Sequence, residues 1–145
     1  MKTLTHFLGL LLLLFFSPAV ARAQVQLTAS SYLGDASSTD WVAGCRWQAN
    51  GTLVLAANLG AAQPGGLTPT LVNGATAASG GAIVRLSADG RTVLSVTRVA
   101  AQVTDLALDG ADNILVAAGT GGVLKLTPTA GSVVWARLGG SYVHR

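Results

Sequence analysis

The chain has 145 residues, half of them hydrophobic and a tenth charged, with 18 glycines, one cysteine and a formal charge of +3. That length fits one ordinary domain, charged residues are too few for a disordered chain, and a lone cysteine excludes a disulfide-stapled miniprotein. A basic balance raises the question of a nucleic-acid partner, which the placement of the charges answers.

The first predicted element is an export signal. Met1 to His6 carries Lys2, Phe7 to Phe16 forms a near-unbroken apolar run, and Ala21-Arg22-Ala23 sets small residues where a signal peptidase reads them. Residues 1–23 are expected to leave by cleavage near Ala23-Gln24, delivering a secreted, periplasmic or cell-surface product. The apolar run is shorter than the roughly 20 residues a membrane span needs, so no span is expected in the mature chain. Losing Lys2 and Arg22 leaves seven basic residues against six aspartates, a difference of +1, with no glutamate. The remaining arginines are scattered, and a nucleic-acid partner, which would need a concentrated basic face, is not expected.

Residues 24–145 read as short strands separated by tight turns. Runs of β-formers recur at 26–33, 42–47, 52–57, 82–87, 92–99, 103–108, 113–118, 122–127 and 132–138. Asn50-Gly51, Asp89-Gly90 and Asp109-Gly110 supply the residues that short hairpin turns require. No segment sustains a helical period. The stretch 59–81, rich in glycine, alanine, threonine and proline, reads as a loop inserted between strands.

Internal repetition organises these strands. IVRLSADGRTVLSVTRV (83–99) aligns with VLKLTPTAGSVVWARLG (123–139) at an offset of 40, and VAGCRWQANGTLVLAAN (42–58) aligns with VTDLALDGADNILVAAG (103–119) at an offset of 61. Two hairpin types therefore alternate, and one of each makes a four-stranded unit of about 40 residues, the size of a propeller blade. The expected fold is all-β, built from four-stranded antiparallel units of β-propeller type. There is material for two to three blades where closed propellers have about four to eight, so an incomplete propeller is expected, a truncated part of a longer one. Open blade edges would favour self-association.

DGADNILVAAG (109–119) resembles the D-x-x-G-N-V-Y-V-x-G signature of bacterial secreted β-propeller repeats, the SBBP type. SYLGDASSTDWVAG (31–44) resembles that family's Y-L-G-G-S-x-x-D segment, and GGAIVRLSADGRTVLSVTRV (80–99) its D-A-F-V-A-K-L-D-x-x-G segment. GVLKLTPTAGSVVWARLGG (122–140) is similar to the tryptophan-docked repeat of quinoprotein-like propellers. The resemblance implies a propeller scaffold without a fixed ligand.

Catalytic residues are not expected. The mature chain keeps one histidine, His144, and no G-x-S-x-G turn. Cys45 has no base in prospect and is expected to pack as a small buried hydrophobe. Asp105, Asp109 and Asp112 form the one acidic group and are weak candidates for calcium, although turns use the same residues. Trp41, Trp47 and Trp135, with Tyr32 and Tyr142, are expected to wedge neighbouring blades, with Trp41 the exception that is a weak candidate for a ligand such as a carbohydrate. No cofactor is implied. The function expected is a secreted non-catalytic repeat module for binding or scaffolding, with an unknown protein or carbohydrate partner. The alternative is a fragment of a propeller enzyme, quinoprotein-like or lyase-like, whose catalytic residues lie outside this chain.

Overall fold

A computed structural model describes residues 40–137 apart from Ala62, Ser79, Thr120 and Gly121. The predicted signal segment, the strand at 26–33, Tyr32, Tyr142 and His144 lie outside the described residues. The fold is all-β, with no α-helix among the described residues and two sheets, neither of them closed.

In the first sheet, β1 (Trp41–Trp47), β2 (Leu53–Asn58), β4 (Gly81–Leu86) and β5 (Val93–Val99) run as an antiparallel meander. In the second, β6 (Val103–Leu108), β7 (Ile114–Ala118), β8 (Gly122–Leu126) and β9 (Val133–Arg137) do the same. The insertion at 59–81 is more ordered than its composition predicts. It makes a 3-10 turn at Pro64–Gly66 and a short strand, β3 (Thr70–Val72), which pairs in parallel with β5 at the sheet's outer edge. Three residues flanked by proline and glycine are too short a run to signal a strand.

The repeats extend to individual hydrogen bonds. The β1–β2 turn is closed by Gln48 N to Thr52 O and Gly51 N to Gln48 O, and the β6–β7 turn by Asp109 N to Asn113 O and Asp112 N to Asp109 O, all 61 residues on. The β4–β5 turn uses Ser87 with Thr92 and Gly90, and the β8–β9 turn uses Thr127 with Ser132 and Ala130, all 40 residues on. Positive φ recurs with them, at Gly51 (81°) and Asp112 (60°), and at Gly90 (70°) and Ala130 (59°). Pairing register slips between Val42 and Gly44 and again between Val103 and Asp105. It also slips between Arg85 and Leu86 and again between Lys125 and Leu126.

Side chains paired across strands share a sheet face. One face of the first sheet, called its back here, carries Val54, Ala56, Ile83, Thr97 and Val99. Its front carries Leu55, Ala57, Ala82, Val84 and Leu86. The front of the second sheet, by the same register, carries Val103, Leu106, Ile114, Val116 and Leu126. The main core joins Val54, Ala56, Ile83 and Val99 to those front residues and to Ala130. The two units thus stack back to front rather than face to face. Contact between the sheets runs chiefly through β6 against β1 and β2. Each aliphatic side chain buried there contributes on the order of 1.5–3 kcal/mol.

Buried polar groups lock this stack. Asn58 Nδ2 donates to Val103 O at 2.7 Å, and Val103 N donates to Asn58 Oδ1 at 2.9 Å. Thr97 Oγ1 donates to Ala130 O at 2.8 Å. Gln48 Nε2 donates to Pro128 O at 2.7 Å and to Asp112 O at 3.2 Å. Such bonds satisfy groups that would otherwise be desolvated without a partner. On the opposite side a second core gathers Leu55, Ala57, Leu59, Ala82, Val84 and Leu86. The 3-10 turn, with Pro64 buried, lies against β5. Arg98 is fully buried, and its Nη1 donates to Leu59 O at 3.0 Å, tying the start of the insertion to β5. Burial lowers the Arg98 pKa, and the negative charge of Asp40 opposes that shift.

Candidate functional site

The aspartates are occupied in local structure. Asp109 Oδ2 lies 2.7 Å from Lys125 Nζ, and Asp109 also accepts hydrogen bonds from Ala111 N, Asn113 N and Asn113 Nδ2. The Lys125 ammonium first, then the Asn113 amide, hold its carboxyl well below the usual carboxylate range. Asp112 Oδ2 accepts from Ala49 N at 3.0 Å, linking the β6–β7 turn to the β1–β2 turn. Asp105 Oδ1 accepts from Leu106 N at 2.7 Å. The three calcium candidates therefore point into three different sets of bonds. Among the described residues no three acidic, histidine or cysteine side chains gather as a metal site would require.

Asp40 Oδ1 accepts from Gly60 N at 2.9 Å and so fixes the start of the insertion beside Trp41. Asp89 is held below its ordinary range by the Ser87 hydroxyl and the Arg91 amide within its turn.

The tryptophans and the cysteine depart from expectation. Trp41 is 43% exposed, and Trp47 is 59% and Trp135 41% exposed, so neither of the latter two wedges between the described sheets. Cys45 is exposed rather than buried. Its neighbour across the strand pair, Leu55, is buried, so the front of the first sheet is covered over β2 and open over β1.

The surface that stands out is the back of the second sheet. Its rows, read from the register, are Asp105–Ala117–Val123–Arg137 and Ala107–Leu115–Lys125–Trp135. Their counterparts in the first sheet are Gly44–Ala56–Ile83–Thr97 and Arg46–Val54–Arg85–Ser95. In the first sheet Val54, Ala56, Ile83 and Thr97 are buried beneath the second unit. In the second the equivalent Leu115, Ala117 and Val123 are only half-buried, and Arg137 is exposed. A shallow groove of about 130 Å³ runs here, lined by Asp105, Leu106, Ala107, Leu115, Ala117 and Val123. A wider hollow of about 610 Å³ lies at Trp135, Ala136 and Arg137 on β9.

Sequence reasoning about chemical groups weighed Asp105 and Trp135 singly and missed the surface they share, whose centre is the aliphatic set Leu115, Ala117 and Val123. The available signal was the repeat itself, which assigns Leu115, Ala117 and Val123 the places of three buried residues. Comparison with protein-family models, with characterised proteins and with solved structures finds no match to this chain.

Proposed function

We propose that the chain is an exported, non-catalytic β-propeller-type repeat module that binds or scaffolds, working as part of a larger set of such units. The observation that carries this reading is the back-to-front stacking of two units with the same turns, bulges and face assignments. Stacked repeats bury their apolar faces on one another, and each added unit presents the same face again. The uncovered apolar rows of the second sheet fit a unit that has a further neighbour. The non-catalytic reading is supported by the use of all five described aspartates in turns, strand contacts or an ion pair.

Single-tryptophan variants test the stacking. Trp47 reports on the first sheet and Trp135 on the second. Coincident thermal transitions from the two probes are expected of one cooperative stack. Two separate transitions would overturn it. Export is tested by N-terminal sequencing of the secreted product, with Gln24 first expected. An intact Met1 on a membrane-bound product would refute it.

A further inference from the structure

We infer that the open back of the second sheet receives β1 of a second copy of this chain, docked head to tail. The inference rests on the stacked-repeat reading above and specifies the partner of that stack. Inside the chain, β6 docks on the back of β1 and β2 through its front residues Val103, Leu106 and Leu108. Sixty-one residues earlier stand Val42, Cys45 and Trp47, on the front of β1. Val103 and Leu106 are buried, whereas Val42 is 53% exposed, Trp47 59%, and Cys45 is exposed too. The receiving rows show the same asymmetry, with Val54 and Ala56 buried and their counterparts Leu115 and Ala117 only half-buried. One molecule therefore carries again the strand part of the interface it has already made once, a docking strand in β1, beside a β2 and β4 front that is already covered, and a groove on the second sheet.

The two halves cannot meet within one molecule, because the first sheet already lies on the opposite side of the second. A second copy supplies the missing half. Such an interface joins different surfaces of the two copies, so it leads to rings or chains rather than closing at a symmetric dimer. The intermolecular contact is weaker than the internal one for identifiable reasons. Asn58 and Gln48, which lock the internal stack, are replaced by Gly119 and Asp109. Gly44, whose Cβ would meet Leu106 Cβ at 3.3 Å, is replaced by Asp105, so a side chain stands where the docking strand comes closest. Trp135 in the place of Ser95 adds aromatic area in return.

Position 105 of one copy and Cys45 of the next inherit the geometry of Gly44 and Leu106, near the Cβ separation that a disulfide spans, about 3.5–4.5 Å. Mild oxidation of an Asp105→Cys variant of the full chain is expected to give a ladder of dimers, trimers and higher species. Peptide mapping should find the 45–105 link, and an added Cys45→Ser change should abolish the ladder. Without cross-linking, the scattering mass of the unaltered chain is expected to rise with concentration. Leu115→Asp on the groove, or Trp47→Ser on the strand, should weaken that association by about tenfold or more, as central interface residues do. Trp47 is exposed and Leu115 half-buried in one molecule, and circular dichroism checks that each variant folds. A folded chain that stays monomeric at every concentration overturns the inference and leaves the internal stack standing. Only 45–45 or 105–105 links in the folded variant also overturn it. Failure of the stacked reading itself registers separately, as split Trp47 and Trp135 transitions.

Discussion

β1 and β6 are the same strand twice, with opposite fates. Each opens its sheet, each carries a bulge near its start, at Ala43 in β1 and Thr104 in β6, and each puts three non-polar side chains on its front. β6 lays those side chains on the first sheet, burying Val103 and Leu106 and partly covering Leu108, whereas β1 holds Val42, Cys45 and Trp47 out to solvent. Sequence periodicity reports which side chains share a face. Whether that face has a neighbour is a property of the stack, and position in the stack differs even between strands that match in register and bulge.

The difference has energetic consequences that mutation can expose. The largest is expected at Leu106. Leu106→Ala should cost about 2–5 kcal/mol of unfolding free energy, as a buried leucine truncation does. Cys45→Ala at the equivalent place should change stability by less than about 0.5 kcal/mol, as exposed sites do. Chemical denaturation of both variants measures the contrast, and equal losses would erase it.

A smaller effect is expected from the polar locks. Asn58→Ala leaves Val103 N and O buried without their partner and should cost about 1–3 kcal/mol. Changing the counterpart Gly119 removes no such bond.

Acid should act on the second sheet. The Asp109 carboxyl titrates below its unfolded counterpart, at about 3.9, so its ion pair stabilises the fold fully above that pH. That contribution is lost as pH falls from there through the lower folded value. In Lys125→Met the acid dependence of stability in this range should flatten, which pH-resolved melting would show.

Least is expected at Ala130, which holds φ at 59° where the first unit has Gly90. Ala130→Gly relieves left-handed strain but loses a buried methyl and adds unfolded-state freedom, so the net change should stay within about 1 kcal/mol.

Much of the fold was legible because repeats and turns are written locally. Offsets of 40 and 61, read from a few identities such as Val42 with Val103, became matching turn bonds and matching bulges. Asp109 and Asp112 were readable as turn residues for the same reason. β3 was not, because its three residues gain a strand partner only through the tertiary approach of β5. The exposure of Cys45, Trp47 and Trp135 was also hidden. Strand patterns rich in apolar residues on both faces predict burial on both sides, as in β2, and say nothing of a missing neighbour. The groove at Leu115 and Ala117 is invisible in composition because it is made of core residues left uncovered.

The paired bulges bear on curvature. A bulge sharpens local twist, and both sheets carry theirs at the same two places, so each sheet is bent by the same devices. In a head-to-tail assembly that shared bend sets the angle between successive wedges, and the angle decides whether the series closes or winds on as a filament. Removing the extra residue at Ala43 would flatten one wedge in every molecule. The number of copies in a turn would then change while the groove and its docking strand kept their chemistry.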